Sequence, residues 1–119
     1  MLYIKEEKMK LAIIGSRNLT IEHLEDYLPD NVTEIVSGGA KGIDRLAAEY
    51  AKKHQLPLTE FLPDYARYGR GAPFIRNRQI AEYADEVLAF WNGISKGTMY
   101  TVRMFEKMGK QVTLIKKER

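Results

Sequence analysis

The 119-residue chain has no cysteine, which excludes disulfide cross-links, thiolate metal centres and cysteine nucleophiles, and fits a reducing compartment. It has two histidines, His23 and His54, far apart and without ligand spacing, so no metal site is expected. Nor do Ser, His and Asp fall into an arrangement that would activate a nucleophile. No apolar run approaches the roughly twenty residues that span a bilayer, and the start "MLYIKEEKMK" lacks a signal-peptide core, so a cytoplasmic chain with no membrane partner is expected. An excess of one charge is also missing. The net charge is +3, with both signs mixed along the helical segments, which falls short of a dedicated nucleic-acid binder. Internal repeats, low-complexity segments and linkers are absent too.

What is present is an alternation of two hydrophobic periods over a length that suits one domain. Residues 1–8 read as an N-terminal extension, 9–119 as a single domain, and the terminal "KKER" as a solvated tail. Buried-strand patterns occupy Lys10 to Ser16, Thr33 to Gly38, Pro57 to Leu62, Glu86 to Trp91 and Gln111 to Ile115. Helical spacing appears at Ile21, Leu24 and Leu28 behind a Thr20 cap, and at Ile43, Leu46, Ala47, Tyr50 and Ala51. It returns at Ile80, Ala81 and Ala84, and from Thr98 to Met108 before Gly109. Met99, Met104 and Met108 on the last helix read as core or as a dimer face. Strands apolar on both faces, alternating with helices, predict an α/β fold: a three-layer, doubly wound, Rossmann-like parallel sheet of about five strands. Ligands of such sheets sit beyond the carboxyl ends of the strands.

The loops at those ends carry the chemistry. "GSRN" offers a close backbone approach at Gly15, a hydroxyl at Ser16 and a guanidinium at Arg17. "SGGAKGID" hands a strand to a helix through Gly38, Gly39 and Gly42, and free N–H groups at such a helix start favour an anion. Asp44 either complements the helix dipole or organises the loop. "PDYARYGRGAP" reads as an exposed loop, or as one that folds over a base with Tyr65 or Tyr68 as stacking face and Arg67 or Arg70 as cation. In "FIRNRQIAEYADE", Arg76 and Asn77 lie one turn before Ile80 and Ala81, on the inward stripe, whereas Arg78 faces out toward Glu82 as a surface pair. Arg76 therefore needs a partner, because an unpaired buried charge is too costly. "WNGISKGTMYT" supplies Asn92 and a second glycine-bearing helix start at Gly97 and Thr98. Neither G-x-G-x-x-G after the first strand nor G-x-x-x-x-G-K-[ST] occurs, which disfavours a dehydrogenase and a P-loop enzyme.

In this order, "GSR", "SGGAKGID", "RNR" and "GTMYT", with "FLPDY", "YGRGAP" and "AFWNGISKGT", resemble the SLOG superfamily, and within it the small single-domain members of the YspA and YpsA type. The resemblance runs from Leu11 to Leu114. It implies binding of a phosphate-bearing nucleotide or nucleotide-derived ligand, related to ADP-ribose or NAD, by a sensor or a hydrolase, with no required cofactor and a homodimer as one expected assembly. The lonely-guy phosphoribohydrolases, a related branch, imply an N-glycosidase; Arg76 falls at their arginine, but Thr101 stands at their glutamate, and threonine supplies no carboxylate. The DNA-processing protein A family implies single-stranded DNA, a weaker reading at this modest charge. The expected cradle comprises Gly15, Ser16, Arg17, Gly38, Gly39, Ala40, Lys41, Gly42, Asp44, Arg76, Asn77, Asn92, Gly97, Thr98 and Thr101. Phosphate is expected on the N–H groups of Gly39 to Gly42 and of Gly97 to Thr98, with Arg76 on phosphate or ribose and Asp44 on ribose hydroxyls or the loop. Arg76 and Asp44 are the candidates for catalysis.

Overall fold

The structure, a computed structural model, describes Leu2 and residues 7–118. Five strands, β1 (Lys10–Gly15), β2 (Glu34–Ser37), β3 (Leu58–Glu60), β4 (Glu86–Trp91) and β5 (Gln111–Lys116), form one sheet in the order β3-β2-β1-β4-β5. All four pairings are parallel. The chain winds outward from β1 to β3, then returns to lay β4 on the other side of β1, so the order in which strands are added reverses between β1 and β4. That switch point opens a crevice at the carboxyl edge.

Helices α1 (Ile43–Lys53), α2 (Tyr65–Tyr68), α3 (Ala72–Tyr83) and α4 (Lys96–Lys107) complete the layers. Successive strand residues point to opposite faces. Leu11, Ile13, Leu88 and Phe90 accordingly pack with Ile43, Ala47 and Ala51 of α1. Ala12, Ile14, Val87 and Ala89 pack with Ile80 of α3 and with Val102 and Phe105 of α4. Met99 and Met104 lie against this second cluster, and Met108 is exposed.

Only the inner strands are apolar on both faces. β1 and β4 each bury four consecutive residues, whereas β3 and β5, each with one free edge, bury none. The expected helix around Leu24 shrinks to a single 3-10 turn, Leu24–Tyr27. His23 enters it at φ 56°, and Leu28 leaves it extended because Pro29 follows, so the segment has no room for a second turn. Ile21 and Leu24 are still buried. The segment 63–73 is largely helical, made of α2 and a 3-10 turn at Gly69–Gly71 that runs into α3. The far end of α3 is closed by Lys110, whose Nζ donates to the carbonyls of Ala81 (2.7 Å), Glu82 (3.1 Å) and Ala84 (2.7 Å). Arg78 and Glu82 are both exposed but make no ion pair. Residues 2, 7 and 8 carry no secondary structure, and the rest of the expected N-terminal extension lies outside the described residues. Among the described residues no helix is long and apolar enough to cross a membrane.

Candidate functional site

The crevice is built by tying the ends of β1 and β4 together. Ser16 N–H donates to Phe90 O (3.1 Å), and Ser16 Oγ, fully sequestered, accepts from Asn92 N–H (3.2 Å). Asn92 Oδ1 then accepts from Ile94 N–H (2.9 Å) and Ser95 N–H (2.8 Å), and its Nδ2 donates to Asn18 Oδ1 (3.0 Å). These bonds fix the turn that launches α4, and Ser95 caps that helix by accepting from Thr98 N–H at 3.3 Å. Ser16 and Asn92 thus hold the frame of the crevice and do not line it.

The crevice encloses about 180 Å³. Ten of the fifteen expected residues line it: Gly15, Arg17, Gly38, Ala40, Asp44, Arg76, Asn77, Gly97, Thr98 and Thr101. Gly39, Lys41 and Gly42 stand outside with Ser16 and Asn92. Gly42 serves the turn itself, at φ 74°, where a side chain would meet Arg17 O at 2.8 Å.

At the centre Arg76 and Asp44 face each other across Gly38. Arg76 Nε donates to Asn77 Oδ1 (2.8 Å) and Nη1 to Gly38 O (2.9 Å). Burial pulls the guanidinium below its usual range, opposed by the Asp44 carboxylate. Asp44 is 9% exposed, and its Oδ2 accepts from Ala40 N–H at 3.0 Å. Burial raises its pKa, against the Ala40 hydrogen bond and the nearby Arg76 charge, which both lower it. The two side chains form no ion pair. Each keeps polar capacity directed into the cavity.

This arrangement alters the expected seat of phosphate. Ala40 N–H is held by Asp44, and Gly39 N–H donates to Ser37 Oγ at 3.3 Å, so two of the expected loop donors are already satisfied. At α4, Thr98 N–H is held by Ser95 while Gly97 opens onto the cavity, and a side chain there would meet nothing within 4 Å. Thr101 Oγ1 donates to Gly97 O at 3.0 Å, so it braces the first turn of α4. The reading from sequence missed Ser95, Phe74, Pro73, Ile14 and Ile80, all of which line the cavity. Ser95 was legible as a serine two residues before Gly97, a usual N-cap choice. Phe74 was not, because an exposed aromatic acquires meaning only from where α3 docks. It meets Tyr100 edge to face, with centroids 5.1 Å apart, while Tyr65, Tyr68, Arg67 and Arg70 lie outside the cavity lining.

The burial of Asp44 predicts an unusual pH dependence. Because its folded pKa is raised, the native state binds more protons than the unfolded chain between the ordinary carboxylate value, about 4, and the folded value. Stability from this group therefore falls as pH rises through that window. An Asp44→Asn variant is expected to unfold at or above the wild-type denaturant midpoint at pH 7, with the gap closing as pH falls toward about 4. A gap that widens on acidification would reverse the assigned sign.

The family model described as YAcAr, the YspA, cpYpsA-related SLOG family, matches residues 9–68. The chain belongs to that family. The matched span takes in β1, β2, α1, β3 and α2, and so the Gly15–Arg17 and Gly38–Asp44 walls of the cavity; Arg76 and the start of α4 lie beyond it. No curated protein and no solved structure matches the chain.

Proposed function

We propose that this member of the YspA, cpYpsA-related SLOG family binds a phosphate-bearing nucleotide derivative of the ADP-ribose or NAD kind in the crevice between β1 and β4, and that it works as a sensor of that ligand. One observation carries the reading. Arg76 is half-buried and anchored by Asn77 and Gly38, yet three of its five N–H donors have no acceptor among the described residues. A desolvated guanidinium with an open edge, beside Arg17 and the α4 start, is suited to phosphate.

An N-glycosidase is the second reading, and Asp44 is what favours it: the one carboxylate in the cavity lining among the described residues, with its pKa raised by burial. Glycosidic cleavage usually takes two carboxylates, and Thr101 is committed to Gly97 O, so binding is the better supported. Two lining cations are too few to track a single strand of DNA.

The test is thermal shift with ADP-ribose, NAD, AMP and inorganic phosphate. A true ligand at a hundred times its Kd adds about 2.7 kcal/mol of stability, a rise of roughly 10 °C for a domain of this size. No shift with any nucleotide at millimolar concentration would refute the reading. Release of free base from a bound nucleotide would move the assignment to the hydrolase.

A further inference from the structure

The polar centre of the cavity is two-sided. A methyl group placed on Gly38 would lie 2.7 Å from Arg76 Nη1 and 3.1 Å from Asp44 Oδ2, so a cation with open donors and a carboxylate border the same small space. As a carboxylate Asp44 only accepts, and Oδ2, the oxygen that borders this space, takes Ala40 N–H with one of its lone pairs. Whatever else touches that carboxylate must donate. Glu60 adds negative charge on that side, since its Oε2 lies 3.2 Å from where a Gly39 side chain would begin. A phosphate is repelled there and a hydroxyl is welcome. On the Arg76 side the preference is the opposite.

Size narrows the ligand further. About 180 Å³ is below the roughly 300–1000 Å³ of sites that swallow a drug-sized molecule, so the cavity takes one part of a nucleotide and leaves the rest outside. Phe74, half-exposed at the rim and steadied by Tyr100, offers a flat apolar surface to what emerges.

We propose that Asp44 and Arg76 together seat one phosphorylated ribose, Arg76 taking the phosphate and Asp44 a free ribose hydroxyl, with the base leaving past Phe74. This rests on the nucleotide-binding reading and makes it specific: the site selects ribonucleotides over deoxyribonucleotides and rejects ligands phosphorylated at that hydroxyl.

The experiment is calorimetric titration of the full chain with AMP, 2′-deoxy-AMP, 3′-deoxy-AMP and inorganic pyrophosphate, in wild type and in Asp44→Asn. In wild type, one deoxy form is expected to bind roughly tenfold to a hundredfold more weakly than AMP, the worth of a hydrogen bond to a charged group. In Asp44→Asn that discrimination should shrink several-fold while pyrophosphate binds more tightly, because a like charge has gone. Loss of affinity for all four probes by one common factor would mean that Asp44 only shapes the loop, and would overturn the proposal. Equal binding of AMP and both deoxy forms by wild type would overturn it without use of a variant, and would leave nucleotide binding itself standing. Absence of all binding by wild type would remove both.

Discussion

Gly15→Ala is expected to lower the melting temperature by roughly 10 °C, and Gly15→Val to leave little folded protein. At the end of β1 the backbone passes directly under the first turn of α1. A Cβ on Gly15 would stand 2.4 Å from Ile43 Cγ1, 2.8 Å from Ile43 Cβ and 3.0 Å from Phe90 O. Ile43 is fully buried and fixed at its branch point, and Phe90 O is main chain that receives Ser16 N–H, so no neighbour can swing away. Relief requires moving α1 off the sheet. Overpacking of this kind costs about 1–3 kcal/mol, a large share of the roughly 5–15 kcal/mol that holds a domain together. The effect belongs to folding, and circular dichroism melts with no ligand present are its measure. A melting point within 2 °C of wild type, roughly half a kcal/mol, would show that α1 has slack the structure does not reveal.

Arg76→Lys is expected to cost the proposed nucleotide roughly tenfold to a hundredfold in affinity while leaving the fold intact. Lysine keeps the charge but loses the planar fork, and with it the simultaneous grip on Asn77 Oδ1 and Gly38 O that aims the open edge at the cavity. A single ammonium in its place would turn toward Asp44 and Gly38 O, and leave the phosphate one donor at best. Gly38→Ala tests the same claim from the other side. Gly38 has no positive φ, so alanine suits its backbone, but the new methyl falls 2.7 Å from Nη1 and must push the guanidinium aside. Both variants should therefore weaken AMP or ADP-ribose alike in calorimetry, with melting points near wild type in the absence of ligand. Arg76 acting only as a structural link between α3 and β2 predicts the opposite pair of results: lower melting points and unchanged affinity.

Much of this site could be read from residue order. β1 and β4 were legible because each is an unbroken apolar run, which a parallel sheet covered on both faces demands. The inward placement of Arg76 followed from its spacing to Ile80, one helical turn away, and Arg76 does reach the strand end at Gly38. The edge strands were harder. β5 carries Val112, Leu114 and Ile115 as a buried strand would, and only its place beside β4, with a free outer edge, explains why Leu114 stays 39% exposed. The segment after Thr20 has helical spacing but too few residues before Pro29, and spacing alone does not count the turns that fit.

The division for the site follows the range of the forces involved. Local sequence determined which loops would carry glycine, hydroxyl and guanidinium, because turn geometry and capping act over three or four residues. It also determined that two helices would begin at one edge of a sheet, since strand and helix periods alternate along the chain. Which main-chain donors remain free was decided only in three dimensions. Asp44 turns back onto Ala40 N–H, Ser95 onto Thr98 N–H and Ser16 onto Asn92, and each bond closes a seat that the motifs alone left open. Asp44 and Arg76, thirty-two positions apart, border one space because Arg76 reaches from α3 to Gly38 O just past the end of β2. Long-range packing therefore made a site with an acceptor on one side and a donor on the other out of two loops that each looked ready for the same anion.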